Sequence, residues 1–268
     1  GGGLNLLDPS TGKFRHFYHV PEDASSLSNN YIISLKKDSR GWLWAGTYRG
    51  GINKMDPETG KSKHYLQGTI SNGSDVRCIT EDSKNRIWVG TNQGGLYLYE
   101  KSKDTFTWIE KSGSMDIRAI HEDMDGGLWL ATFGTGICYY NPEQDSLRIF
   151  NTSNTPGLPS NIIFCLTQTN KNEIWAGTRY GGLVNFNIKS GKVTTYSEKN
   201  GLSNNTVNSL LLEDNQNIWI GTLNGISHFD IASKKITSLT SLESIGPSEF
   251  NISAATKTES GYLYFGGN

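Results

Sequence analysis

The residues best suited by type to hold a polar ligand follow a recurring tryptophan segment. They are Tyr48-Arg49, Asn92-Gln93, Phe133, Arg179-Tyr180 and Asn224. Arg can fork two parallel N–H bonds onto a carboxylate or sulfate, and Tyr or Phe can cover the face of a sugar ring. Amide side chains add donors and acceptors. Together they suit a hydroxylated, acidic ligand such as an oligosaccharide or another small polar molecule. The plainer alternative is a set of solvated loop residues. A second set is Asn30, Asp75, Asp116, Asn161, Asn205 and Asn251, each 13 or 14 residues before the aromatic of its own repeat. A side-chain oxygen there reads as an Asx cap on a turn entering a strand, which makes this ring structural. It could also hold a water chain or a cation.

A catalytic constellation is missing. No Ser is flanked as Gly-x-Ser-x-Gly, and no nucleophile and base can be paired. The five histidines, at 16, 19, 64, 121 and 228, are scattered, whereas zinc needs three or four converging ligands. Asp123-Met124-Asp125-Gly126 resembles the start of a calcium loop, but Gly127-Leu128-Trp129 follows where further acidic ligands are required. It reads as a hairpin turn. Cys78, Cys138 and Cys165 lack metal-ligand spacing and lie in apolar strands, so they read as buried thiols. No catalytic residue, metal or cofactor is expected.

The elements that must position these residues are copies of one unit. Leu43-Trp44-Ala45-Gly46-Thr47 returns as Ile87-Trp88-Val89-Gly90-Thr91, Leu128-Trp129-Leu130-Ala131-Thr132, Ile174-Trp175-Ala176-Gly177-Thr178 and Ile218-Trp219-Ile220-Gly221-Thr222. A decayed sixth copy is Leu263-Tyr264-Phe265-Gly266-Gly267. The aromatics at 44, 88, 129, 175, 219 and 264 are spaced by 44, 41, 46, 44 and 45 residues, a propeller-blade period. Before each Trp stands an alternating segment such as Thr206-Val207-Asn208-Ser209-Leu210, then a polar turn such as Asp82-Ser83-Lys84-Asn85. After it come a glycine pair (Gly50-Gly51, Gly94-Gly95, Gly181-Gly182), a third strand, a turn such as Asp56-Pro57-Glu58-Thr59-Gly60-Lys61, and a fourth strand. Asp, Asn and Gly clusters between β-like runs read as hairpins. No stretch has convincing helical periodicity.

The fold class expected is therefore all-β, a β-propeller of four-stranded blades with six repeat units visible, forming one domain over 1–268. The Trp of strand two should fill the wedge between neighbouring sheets. In such a ring the loop after strand two shares a face with the loop entering strand one. The first residue set would then converge around one axis, with the second at the mouth of the central channel. The chain starts at a strand-three position and stops after a strand two. These ends could pair to close a ring of six, or the piece could come from a larger ring.

Composition limits the partners. The 25 basic and 26 acidic residues nearly cancel, which disfavours a nucleic-acid groove or an anionic membrane surface. No apolar run is long enough to span a bilayer, and no signal peptide is visible.

The repeat resembles the two-component regulator propeller repeat of the periplasmic sensor regions of hybrid histidine kinases in Bacteroides-type bacteria. The matching features are the Asp-x-x-Gly/Asn turn, the Leu/Ile-Trp-x-Gly-Thr strand, the Gly-Gly-Leu/Ile turn and the Asp-Pro-x-x-Gly-Lys turn. Ser248-Glu249-Phe250-Asn251 with Gly261-Tyr262-Leu263-Tyr264-Phe265-Gly266-Gly267 is similar to that region's last blade. The resemblance implies a periplasmic, non-catalytic sensor for glycans or their breakdown products. It further implies a companion propeller, then a β-sandwich, a membrane helix and a kinase downstream, with a homodimer as one arrangement. It implies seven blades where six units are visible, which favours a piece of a larger ring. Two other classes remain open: a propeller enzyme on polysaccharide, a lyase or glycosidase, and a purely structural or dimerisation propeller. A glycosidase needs two carboxylates across one cleft, and among these loops Asp75 and Asp116 are the main ones.

Overall fold

A computed structural model of the chain describes residues 1–68, 73–239 and 249–268. Strands dominate. Blade one runs Ile32–Lys37, Leu43–Thr47, Ile52–Met55 and Ser62–Tyr65, and blade two Val76–Glu81, Ile87–Thr91, Leu96–Glu100 and Thr105–Ile109. Blade three is Ile117–Glu122, Leu128–Thr132, Ile137–Asn141 and Ser146–Phe150. Blade four is Ile163–Asn170, Glu173–Thr178, Leu183–Asn187 and Val193–Tyr196. Blade five is Val207–Leu212, Asn217–Thr222, Gly225–Asp230 and Lys235–Leu239. Each blade is a four-stranded sheet in chain order, and the pairs with an assigned register are antiparallel. Two shorter sheets stand by themselves, Leu4–Asp8 with Lys13–Phe17, and Phe250–Lys257 with Leu263–Gly267. This is the expected β-propeller architecture. Two single-turn 3-10 helices, Glu110–Ser112 and Glu198–Asn200, lie after fourth strands. Turns this short need no amphipathic period, so the sequence pattern passes over them. Ser248 lies outside the described residues.

The backbone packs as two compact units, Gly1–Ile120 and His121–Asn268. In the first, Trp44, Ile52, Val76, Ile87, Val89, Tyr97 and Tyr99 form one buried cluster. Trp44 meets Tyr99 of the next blade edge-on, with ring centres 4.9 Å apart. In the second, Trp175 meets Phe229 the same way at 5.3 Å, and Trp129 meets Phe186 at 6.2 Å. The strand-two Trp thus packs between blades, as its recurrence predicted. Trp44, Trp88, Trp129 and Trp175 are at most 2% exposed. Trp219 is only half-buried, and Tyr264 in the decayed copy is 57% exposed.

The rest of the Leu/Ile-Trp-x-Gly-Thr motif is explained by neighbours. A Cβ added to Gly46 would sit 2.5 Å from the Val76 side chain of the next blade. The missing side chain makes room for the next blade's first strand, and blade three carries the small Ala131, fully buried, at that position. The threonine hydroxyl donates to the carbonyl of the glycine that ends the following loop: Thr47 to Gly51, Thr91 to Gly95, Thr132 to Gly136, Thr178 to Gly182 and Thr222 to Gly225, at 2.7–2.9 Å. Cys138 and Cys165 are buried and Cys78 is half-buried, all three unpaired. Burial pushes the Cys138 thiol up to about 12, so it stays protonated at neutral pH.

Candidate ligand-binding loops

Each loop after strand two is tied to the segment entering strand one of a neighbouring blade or its own. Tyr48 N–H donates to Tyr31 O, Asn92 N–H to Asp75 O, Gly134 N–H to Asn161 O, Arg179 N–H to Ile162 O and Leu223 N–H to Thr206 O. The two loop families therefore share a face within each unit. The Thr hydroxyl closes the loop base, and beyond it Tyr48, Arg49, Gln93, Phe133, Tyr180 and Asn224 are exposed while Asn92 and Arg179 are half-buried.

In the first unit the tips are Tyr48-Arg49 and Asn92-Gln93. Tyr48 is 40% exposed, and the Arg49 guanidinium lies 4.9 Å from its ring centre. Asn92 is half-buried, and its Nδ2 donates to Asp75 Oδ2 at 3.2 Å. In the second unit Tyr180 is 69% exposed, and the Arg179 guanidinium stacks 4.7 Å from its ring centre. Arg179 Nη2 also donates to the Tyr180 hydroxyl at 2.9 Å. Phe133 lies 6.4 Å from Phe164, and Asn224 is exposed at its tip. Two blades thus present the same pairing in opposite chain order, a guanidinium over an exposed tyrosine ring. Such a pair is half-assembled for an acidic, hydroxylated ligand: the cation lies over the ring, and the tyrosine is exposed.

Backbone geometry sharpens this. Arg49, Gln93 and Tyr180 occupy the same loop position and have φ of 59°, 56° and 66°. A residue with a Cβ held in this left-handed region costs on the order of 1 kcal/mol or more. Glycine would do the turn more cheaply, yet three blades place a large polar or aromatic side chain there.

The second residue set divides by chemistry. Asn30 Oδ1 accepts from His19 N–H, Asn161 Oδ1 from Thr152 N–H and Asn205 Oδ1 from Glu198 N–H, at 2.7–2.9 Å. These amides fasten the chain arriving from the preceding fourth strand. Asp75 and Asp116 instead bond the arginine two residues on, Arg77 at 2.9 Å and Arg118 at 2.6 Å. Both carboxylates are buried, and the Oδ1 of each has no protein partner. Burial pushes the Asp116 carboxyl up, against the pull of the Arg118 bond. Asn251 is exposed. Sequence reading missed the Asp-x-Arg pairs, although the spacing of two on a strand puts both side chains on one face.

It also missed the partner of the tryptophans. Asp38 Oδ2 accepts from Trp44 Nε1 at 2.9 Å, and Asp82 Oδ2 from Trp88 Nε1 at 2.7 Å. Thr169 and Glu213 serve Trp175 and Trp219. A polar residue six before each of these four Trp was the available signal, although Asp123 at that position leaves the buried Trp129 Nε1 without an acceptor. In the calcium-like turn, Asp123 Oδ1 accepts from the Asp125 and Gly127 N–H groups, and Lys171 pairs with Asp125. Among the described residues no group of three His, Cys, Asp or Glu is placed to hold a metal.

The family model described as "Two component regulator propeller" matches five times, at residues 26–49, 70–93, 111–134, 157–180 and 201–224. The chain belongs to this propeller family. Among solved structures, this regulator propeller is similar to the extracellular domain of the hybrid two component system BT3049 from B. thetaiotaomicron. The TM-score is 0.73 and the identity 23%, over 89% of this chain and 32% of that one. It is also similar to the extracellular domain of the hybrid two component system BT4673 from the same organism. There the TM-score is 0.73 and the identity 18%, over 98% of this chain and 44% of the other. The chain therefore spans less than half the length of these proteins. Virginiamycin B lyase from Staphylococcus aureus shares the fold at TM-score 0.65 and 14% identity, over 92% and 86% of the two chains. No curated protein matches in sequence.

Proposed function

We propose that this regulator propeller is the non-catalytic, ligand-binding part of a periplasmic sensor in a hybrid two-component signalling protein. It detects oligosaccharide-derived ligands at the loops after strand two. The observation that carries the reading is the recurring Arg–Tyr pair, Tyr48-Arg49 and Arg179-Tyr180, with a guanidinium over an exposed tyrosine ring on two blades. The family, and fold neighbours that are extracellular domains of two-component systems, support a sensor outside the cytoplasm. No helix among the described residues is long and apolar enough to cross a membrane. In the full receptor, ligand binding favours one of two receptor arrangements by its differential affinity, and stiff blades pass the shift to a companion propeller, a β-sandwich and a kinase.

Calorimetric titration with an acidic oligosaccharide that binds the wild type tests the reading. Each charge-assisted contact is worth about 1.5–3 kcal/mol. The double variant Arg49→Ala/Arg179→Ala, which removes the loop arginine of either unit, should therefore bind weaker by about a decade or more. Unchanged affinity with the fold intact would remove these loops from the site.

A further inference from the structure

One residue of strand three stands opposite every strand-two tryptophan. The pairs are Trp44 with Lys54, Trp88 with Leu98, Trp129 with Tyr139, Trp175 with Asn185 and Trp219 with His228. In four blades this residue is long enough to cover the indole. Lys54 Nζ lies 5.6 Å from the Trp44 ring centre, and the Tyr139 and His228 rings lie 4.8 Å from their tryptophans. Leu98 is the aliphatic version. Asn185 is the short exception, and a cavity of about 340 Å³ opens in front of Trp175.

The walls follow from strand alternation and register. Glu173 and Trp175, Asn185 and Asn187, and Lys192, Thr194 and Tyr196 lie two apart on adjacent strands and share one face. Lys234 closes the cavity from the turn between the last two strands of blade five. Three features point to a ligand. Asn185 Nδ2 is buried and has no hydrogen-bond acceptor, a costly state unless a guest supplies one. Lys192 and Lys234 are exposed lysines that line one cavity, where Glu173 is the one carboxylate among the lining residues. Tyr196 and Trp175 give it an aromatic lining. The volume lies within the range of small-molecule sites.

We propose that this cavity binds a small hydroxylated carboxylate of sugar-acid size. Asn185 donates to a ligand oxygen, Lys192 and Lys234 neutralise the carboxylate, Glu173 accepts from a hydroxyl, and the C–H face packs on Tyr196. This site uses blades four and five away from the loop tips, and it stands whether or not the loops bind a glycan.

The test titrates the whole chain with D-glucuronate, D-glucose and inorganic sulfate, following calorimetry and the Asn185 side-chain amide resonance. D-Glucuronate should saturate at millimolar concentration and shift that resonance, with D-glucose and sulfate each about tenfold weaker or worse. Asn185→Leu, which places the Leu98 solution in blade four, should abolish binding and keep or raise the melting temperature. Lys192→Ala/Lys234→Ala, at exposed positions, should weaken D-glucuronate about tenfold or more with the fold unchanged. Absence of saturation in the wild type would overturn the proposal. So would equal affinity in Asn185→Leu, or sulfate binding as tightly as D-glucuronate, which would mean an unspecific anion contact at two lysines.

Discussion

At the scale of single residues, the acids of the first hairpin turn matter most. Burial pushes the Asp38 and Asp82 carboxyls up. Hydrogen bonds from the indoles of Trp44 and Trp88 and from turn N–H groups outweigh it, and both are held below the ordinary carboxylate range. An unfolded Asp titrates near about 4. The folded state therefore binds fewer protons in the window below that value. The stability these groups contribute is complete above it and is lost as pH falls through the folded values. Urea midpoints measured from pH 6 downward should fall on the acid side, and Asp82→Asn should flatten that fall. The same variant weakens the bonds to Trp88 and Arg86 and should cost about 1.5–3 kcal/mol at neutral pH. An acid limb as steep in Asp82→Asn as in the wild type would show that other groups set it.

At the scale of the blade, the tryptophan is a spacer whose worth depends on what lies on its far side. Trp88 is 1% exposed, and its replacement by Ala should cost about 3–5 kcal/mol. Trp219 is half-buried, touches His228 and bonds Glu213, so Trp219→Ala should cost clearly less in the same denaturant melts. Equal losses would mean both rings are equally enclosed. Much of this element was readable in advance. The Trp-x-Gly-Thr strand, the turns and the strand order all follow from periodicity and turn chemistry, because every blade solves the same packing problem. What escaped depended on register. Asn185 looks unremarkable in sequence, and only its position opposite Trp175 turns a short side chain into a cavity. Likewise Asp75 and Asp116 sit where other blades carry a capping Asn, and only the structure shows each carboxylate turned to the arginine two residues on.

For the molecule as a whole, the sensor reading predicts binding without turnover. Incubation with a panel of polysaccharides and oligosaccharides should release no cleavage products. Activity that disappeared in Asp75→Asn or Asp116→Asn would move the protein to the enzyme class despite its family. The threonine that ends each second strand has a further consequence. Its hydroxyl and the glycine carbonyl fasten the loop base the same way in all five blades, whatever stands at the tip. Foldedness is thereby insulated from recognition. Tyr48, Gln93, Phe133, Tyr180 and Asn224 are exposed side chains, and exchanges there that keep the loop's backbone conformation usually change stability little. A lineage of such chains can drift through many tip combinations at nearly constant stability, so that new specificities arise by exchanging five short words in an unchanged sentence.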